Sequence, residues 1–258
     1  MKNLNELKDN VYSQNGEDGI IAYLISTLEE RSNFVIEFGA ADGLFCSNTA
    51  RLWKEWGASA LLIESSAPLF RKLKRRVANY PSVGIEHALV TNIDKHTTRV
   101  ADVCSIDVDG DDYQIAKRME TPHKIVVIEY NPTVPPHIDM INYEGSMWGS
   151  GAKSITSMMQ TKGYTLVGCT KTNLIFLIGD HADKYVTDLS VLFDYSSLNY
   201  VVTAANGEYD FIGEFGYGLE YPVNMRMTGD SQLKSPTYDR ITAEFIHRLS
   251  HIEQAKNL

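Results

Sequence analysis

Residues 33–43, "NFVIEFGAADG", constrain this chain more than any other stretch. Phe34 to Phe38 is an apolar, β-branched and aromatic run that ends in a glycine-rich turn. A run of that length with little polar alternation reads as a strand covered on both faces. The next segment, "SNTARLWKEWG", reads as a helix, with Ser47 or Asn48 to cap it and Gly57 to close it. Strand, tight turn, helix is the opening unit of an α/β sheet.

The unit repeats down the chain. "ALLIE" (60–64) is a second strand, and "APLFRKLKRRVANY" is a helix with Leu69, Phe70, Leu73 and Val77 opposite a basic face. "SVGIEHALV" is a third strand. "VCSIDVDG", "DDYQIAKRM", "KIVVIEYNP" and "GAKSITSMMQTKG" continue the alternation. "YTLVGCTKTNLIFLIG" reads as two strands joined by a turn around Lys171 to Asn173. The expected fold class is therefore α/β, a doubly wound parallel sheet whose last strand runs antiparallel. Ahead of all this, "SQNGEDGIIAYLISTLEER" reads as a helix. Asn15 is its expected cap, Asp18 completes a variant capping box, and Ile20, Ile21, Leu24, Ile25 and Leu28 form its apolar face.

With 258 residues, 43% of them hydrophobic, the chain can bury one substantial core. We expect a single domain, with a core over 13–179 and a C-terminal extension over 180–258. The extension carries seven of the fourteen tyrosines and turn signals such as "FGYG". It closes with "YDRITAEFIHRLSHIEQA", an amphipathic helix with Ile241, Phe245, Leu249 and Ile252 on one face. Such a helix docks on its own domain or on a second copy, as in a homodimer.

A formal net charge of −9 argues against nucleic acid as a partner, because phosphate backbones are bound by clustered Lys and Arg. Cys46, Cys104 and Cys169 are odd in number and widely spaced, which excludes a disulfide framework or zinc knuckle. The N-terminus shows no apolar secretory segment and no run reaches membrane-spanning length, so a soluble cytoplasmic protein is expected.

In open α/β sheets, ligands sit beyond the carboxyl ends of the strands. At the first such end stand Gly39 and Gly43, spaced GxxxG and not the GxGxxG of a dinucleotide fold, with Glu37 and Asp42 beside them. Acids there suit a cationic or zwitterionic ligand better than a diphosphate. The second strand ends in Glu64, 21 residues after Gly43, where a carboxylate accepts the hydroxyl hydrogens of a ribose. A glycine turn, acids and a ribose clamp without phosphate chemistry fit S-adenosyl-L-methionine.

The stretch "CSIDVDGDDYQI" (104–115) is not an EF-hand loop. Counted from Asp107, glycine falls at position 4 and position 12 is Arg118. Period-2 alternation puts Asp107 and Asp109 on one side at the end of the fourth strand, and Asp111 and Asp112 are expected to start the next helix. Glu129 and Asn131 leave the fifth strand alongside. Asp107, Asp109, Glu129 and Asn131 then make a hard oxygen site for Mg2+ or another divalent cation, which would lower the pKa of an acceptor hydroxyl. Without a metal, Asp107, Asp109 or His137 would serve as general base. None of the histidines shows a metal-ligand spacing such as HExxH. "MWGSGAKS" lies where a loop would cover the acceptor, with Trp148 either stacking on a sugar or anchoring the loop.

The blocks "SQNGEDG", "FVIEFGAADGLFCSNT", "ALLIES", "CSIDVDGDDY" and "VVIEYNP" resemble the FkbM-like family of S-adenosylmethionine-dependent methyltransferases, in intact order from Ser13 through Ile178. The later "GAKSITSMMQTKGYTLVGCTKTNLIFL" resembles that family's last helix and strand pair. The resemblance implies the seven-stranded Rossmann-like class I methyltransferase fold. It also implies methyl transfer to oxygen, often on sugars or related polar metabolites, and a small-molecule acceptor. It implies that the helix start with Gln14 and Glu17 borders the cofactor pocket, whose other expected residues are Glu37, Gly39, Asp42, Gly43, Asn48, Glu64, Ser65 and Asp107. Two other readings stand beside it: an NAD-dependent oxidoreductase or epimerase, which the missing GxGxxG counts against, and a non-catalytic binding module of the same fold.

Overall fold

The computed structural model describes residues 1–198, 200–203 and 209–212. Its centre is a seven-stranded sheet in the order β3-β2-β1-β4-β5-β7-β6. The strands are β1 (Phe34–Phe38), β2 (Ser59–Glu64), β3 (Val83–His87), β4 (Val103–Ile106), β5 (Ile125–Glu129), β6 (Tyr164–Cys169) and β7 (Asn173–Ile178). The first five are parallel to one another, and β7 runs antiparallel to both β5 and β6. This is the Rossmann-like α/β class expected above, with the antiparallel strand in the expected place.

The apolar runs form strands because both faces are covered. Every residue of β1, β4 and β5 is buried. One face packs Val35, Leu62, Val103, Val127 and Ile175 under α1 (Glu17–Thr27) and α2 (Ala67–Arg76). The other packs Ile36, Cys104, Ile106, Ile128 and Phe176 against α3 (Asp112–Arg118) and α4 (Ala152–Thr161). Each such side chain contributes about 1.5–3 kcal/mol on burial. One ion pair pins the amino edge of β4: the Asp102 carboxylate accepts from the Ser32 and Asn33 amides and from Lys124 Nζ at 2.7–2.8 Å.

Local details depart from the sequence expectations in two places. Helix α1 is not capped by Asn15. Its cap is Gly16 at φ 96°, and the Asp18 carboxylate instead gathers the amides of Val11, Tyr12 and Ser13 at 2.7–2.9 Å. The segment after β1 is no full α-helix either, but a π-type turn over Arg51–Glu55 that buries Leu52 and Trp53. Trp53 meets Tyr80 edge-on, with ring centroids 5.1 Å apart.

The chain divides into two compact units after Leu198. Residues 180–198 belong to the first, which includes a short helix α5 (Leu189–Leu192) and the buried Phe193 and Leu198. In the second, Tyr200–Thr203 (β8) pairs antiparallel with Tyr209–Ile212 (β9). The expected amphipathic helix over 238–255 and the turn at "FGYG" lie outside the described residues. Among the described residues no helix is long and apolar enough to cross a membrane.

Candidate functional site

The strand order reverses between β1 and β4, and the crevice beyond the carboxyl ends at such a switch point is where open sheets take ligands. Gly39 closes β1 there, with φ +79°. Its amide and that of Ala40 both donate to the Ile63 carbonyl, and a Cβ on it would stand 1.6 Å from the Asp107 carbonyl oxygen. The loop stays wound tightly through Ala41 (φ 47°), Gly43 (φ 89°) and Cys46 (φ 56°).

Carboxylates hold this loop. Glu64, buried at the end of β2, accepts the Ala41 amide at 2.8 Å and the Ser66 amide at 2.6 Å. Each carboxylate oxygen has a second lone-pair direction, so both keep capacity for a hydroxyl donor. Glu37 is buried and accepts from Ser47 Oγ, the Asn48 amide and Thr49 Oγ1 at 2.6–2.8 Å. Burial raises its carboxyl pKa, and those donors offset part of the rise. Asn48 donates to Ser105 Oγ at 3.0 Å, while its Oδ1 is buried with no partner among the described residues. Asp42 is half-buried and pairs with Arg76 at 3.0 Å. Burial raises its pKa, but the Phe45 and Leu44 amides and the nearby charges of Arg76 and Lys72 outweigh that and lower it. Ser65 is exposed, and its carbonyl contacts the His87 ring.

Beyond β4 the carboxylates converge. Asp107, Asp112 and Glu129 each bring an oxygen within 4.8 Å of the others. Burial, then the charges of Asp112, Asp109 and Glu37, push the Asp107 carboxyl well above the usual range. Asp112 is fully buried and accepts the Val108 and Gly110 amides at 2.8 and 3.0 Å. Burial pushes its carboxyl pKa up to about 6. Carboxyl oxygens held this closely, two of the three groups buried and Asp107 half-buried, are poised for a cation, which would favour their ionised forms.

This cluster corrects two readings. Asp109 is not among the converging carboxylates: β4 ends at Ile106, and Asp109 turns into the left-handed region at φ 59°, exposed. Alternation holds only while the strand lasts. Its place is taken by Asp112, which also opens α3 as expected, with Asp111 at the N-cap position. Asn131 is buried, but its amide oxygen accepts from Thr133 N and Oγ1 and its Nδ2 donates to the Trp148 carbonyl, so it braces the loop after β5. The His137 side chain is exposed, with no contact to the carboxylates among the described residues.

The same loop folds over the cluster. Asn142 donates to the Gly110 carbonyl at 2.8 Å, and a Cβ on Gly110 would meet the Ser146 carbonyl oxygen at 2.2 Å. Tyr143, Met147 and Trp148 line the rim, 64%, 75% and 47% exposed. From the other side comes "SQNGEDG". Gln14 and Asn15 both donate to Thr172 Oγ1, at 3.2 and 2.9 Å. Glu17, wholly buried, accepts the Asn15 amide, Thr170 Oγ1 and Asn173 Nδ2. The motif thus clamps the start of α1 to the turn between β6 and β7. Cys46 lies near enough that burial, then the charges of Asp107, Glu17 and Asp42, raise its thiol.

No family model matches this sequence, and no curated protein does. Among solved structures the chain is similar to the methyltransferase domain of bacterial CtHen1-C, at 14% identity over 62% of this chain and 95% of that one, with a TM-score of 0.42. It is similar to the N-terminal domain of EvdMO1 with SAH bound, at 14% identity over 66% and 83%, TM-score 0.45. A third is the CcbJ methyltransferase from Streptomyces caelestis, at 12% identity over 65% and 91%, TM-score 0.43. The fold assignment stands on the strand order of this chain itself.

Proposed function

We propose that this chain is an S-adenosylmethionine-dependent O-methyltransferase. Its acceptor is a hydroxyl of a small polar metabolite, a sugar or sugar derivative, and a divalent cation of the Mg2+ type assists. The observation that carries the reading is the joint placement of a glycine turn, a ribose-type carboxylate and a carboxylate cluster at one topological switch point.

The residues suit the cofactor in chemistry. Glu64 keeps acceptor capacity for ribose hydroxyls beside the turn at Gly39 to Gly43. Glu37, Asp42 and Asp107 place carboxyl groups around the turn, and these suit a sulfonium, whose charge favours their ionised form, better than a diphosphate. Gln14, Glu17 and Asn48 border the same edge. When bound, the cofactor supplies an electrophilic methyl group. Asp107, Asp112 and Glu129 would hold the cation, whose charge removes the repulsion among them and acidifies an acceptor hydroxyl. The protein's remaining work is to orient the acceptor, and the exposed Trp148 and Tyr143 on the covering loop offer rings for a sugar face.

Calorimetric titration with S-adenosylmethionine and with its demethylated product tests the first half. Binding is expected, and weaker binding when Glu64 or Asp42 is replaced by Ala; binding that survives both changes intact would remove the assignment. A copurified nicotinamide absorbance would favour an oxidoreductase. With an acceptor found by labelled-methyl screening, activity should vanish after exhaustive EDTA treatment and return with Mg2+.

A further inference from the structure

Ile106 of β4 pairs with Ile128 of β5, so Asp107 and Glu129 follow side by side, and Glu129 pairs directly with Asn173 of β7. Neighbouring strands lie about 4.8 Å apart, so the three residues form one row across the sheet edge. Glu129 shares parity with Val127 and Asn173 with Ile175, and both of those lie in the layer beneath α1. The Glu129 and Asn173 side chains therefore rise from the same face.

Asn173 is 1% exposed. Its Nδ2 donates to Glu17 Oε1 at 3.1 Å and to Thr172 Oγ1 at 3.3 Å. Its Oδ1 is buried and has no partner among the described residues. A buried amide oxygen left without a donor costs stability, and an ordered water or a bound ion can complete it. Amide oxygens are neutral hard donors of the kind Mg2+ and Mn2+ accept alongside carboxylates. Asn131 cannot fill that part, since its oxygen is already taken by Thr133.

We infer that Asn173 Oδ1 is a further protein ligand of the cation held by Asp107, Asp112 and Glu129. Glu17 acts behind it as a positioning residue: by accepting from Nδ2 it turns the amide so that oxygen faces the row. Thr170, which donates to Glu17, belongs to that support and not to the ligand set. The inference rests on the cation reading of the preceding subsection and adds a ligand from the antiparallel strand.

Mn2+ alone, titrated into the full chain and followed by calorimetry and by the loss of its free electron paramagnetic signal, tests it. The native chain should bind one ion and Asp107→Asn should lose it. Failure of the native chain to bind would overturn the cation reading, and this inference with it. If the native chain binds, Asn173→Ala should weaken affinity about tenfold, whereas Thr170→Ala, which keeps the amide oxygen and removes only one donor to Glu17, should weaken it clearly less. Equal affinity in Asn173→Ala, or an equal loss in both variants, would overturn the assignment of Asn173 while leaving the cation site standing. Should Asn173→Ala not fold, Asn173→Asp serves. Its added carboxylate should make the Mn2+-induced rise in Tm larger than in the native chain, and an unchanged rise would sink the proposal.

Discussion

Gly39 and the carbonyl oxygen of Asp107 face each other so closely that a Cβ on residue 39 would stand 1.6 Å from that oxygen. The contact brings the end of β1 against the residue that opens the carboxylate cluster. Gly39→Ala has to move one of them as well as adopt φ +79°. We expect a loss of about 3 kcal/mol or more in chemical denaturation. Gly57 has a similar φ of +72° but nothing within 4 Å of its added Cβ, so Gly57→Ala should cost only the backbone strain, about 1 kcal/mol. Equal losses in the two variants would show that the Asp107 contact is slack.

Asp107→Asn separates stability from function. Burial and neighbouring carboxylates raise the native pKa of Asp107 far above its unfolded value. Its contribution is therefore fully present below about pH 4 and is lost as pH rises through the native value. An Asn cannot ionise, so the cation-free variant should melt higher than the native chain near pH 8, by roughly 3 °C or more, and the gap should close toward pH 4. Methyl transfer should fall far more than S-adenosylmethionine binding does. A variant that melts lower at both pH values would contradict the proposed repulsion.

Asp112 sets a pH window for cation binding. With its carboxyl pKa near 6, it has to shed a proton before it serves as a ligand below that value. Mn2+ affinity should hold above about pH 7 and fall by up to about tenfold per unit for each displaced proton below pH 6. Flat affinity from about pH 5 to 7 would mean that Asp112 stands outside the ligand set.

His123 gives a signature independent of the site. It is fully buried, its Nδ1 accepts the Ala101 amide at 3.1 Å, and burial lowers its pKa to about 4. The unfolded chain then binds a proton more readily than the folded one, so the neutral ring's contribution is complete above about pH 6.5 and fades as pH falls toward 4. The gap corresponds to on the order of 3 kcal/mol. His123→Gln should flatten the stability–pH curve between those values, as measured by urea denaturation at a series of pH values.

The succession of strands and helices along the chain is legible because each apolar run is bounded by its own turn signals, as in "NFVIEFGAADG". So was the association of Asp107 with Glu129, which needs only parallel neighbours ending together. What local pattern does not carry is where a strand stops. Alternation extended beyond Ile106 put Asp109 in the cluster, while the left-handed turn at Asp109 and Gly110 brings in Asp112. Asn173 was read as part of a turn. Its place opposite Glu129 depends on the register of β7, an antiparallel pairing with a strand more than forty residues earlier in the chain. The Gly16 cap was equally hidden, because Asp18 is engaged by residues that precede it and not by its own helix.

The row Asp107, Glu129, Asn173 also has an order in time. Ribosomal synthesis delivers β4 and β5 well before β7, and a return strand inserted between β5 and β6 pairs only after both exist. A nascent chain ending before Asn173 holds the acids with one wall of their enclosure missing. Completion of the inferred cation cage thus coincides with closure of the sheet, and a premature truncation yields a product with an open acidic edge.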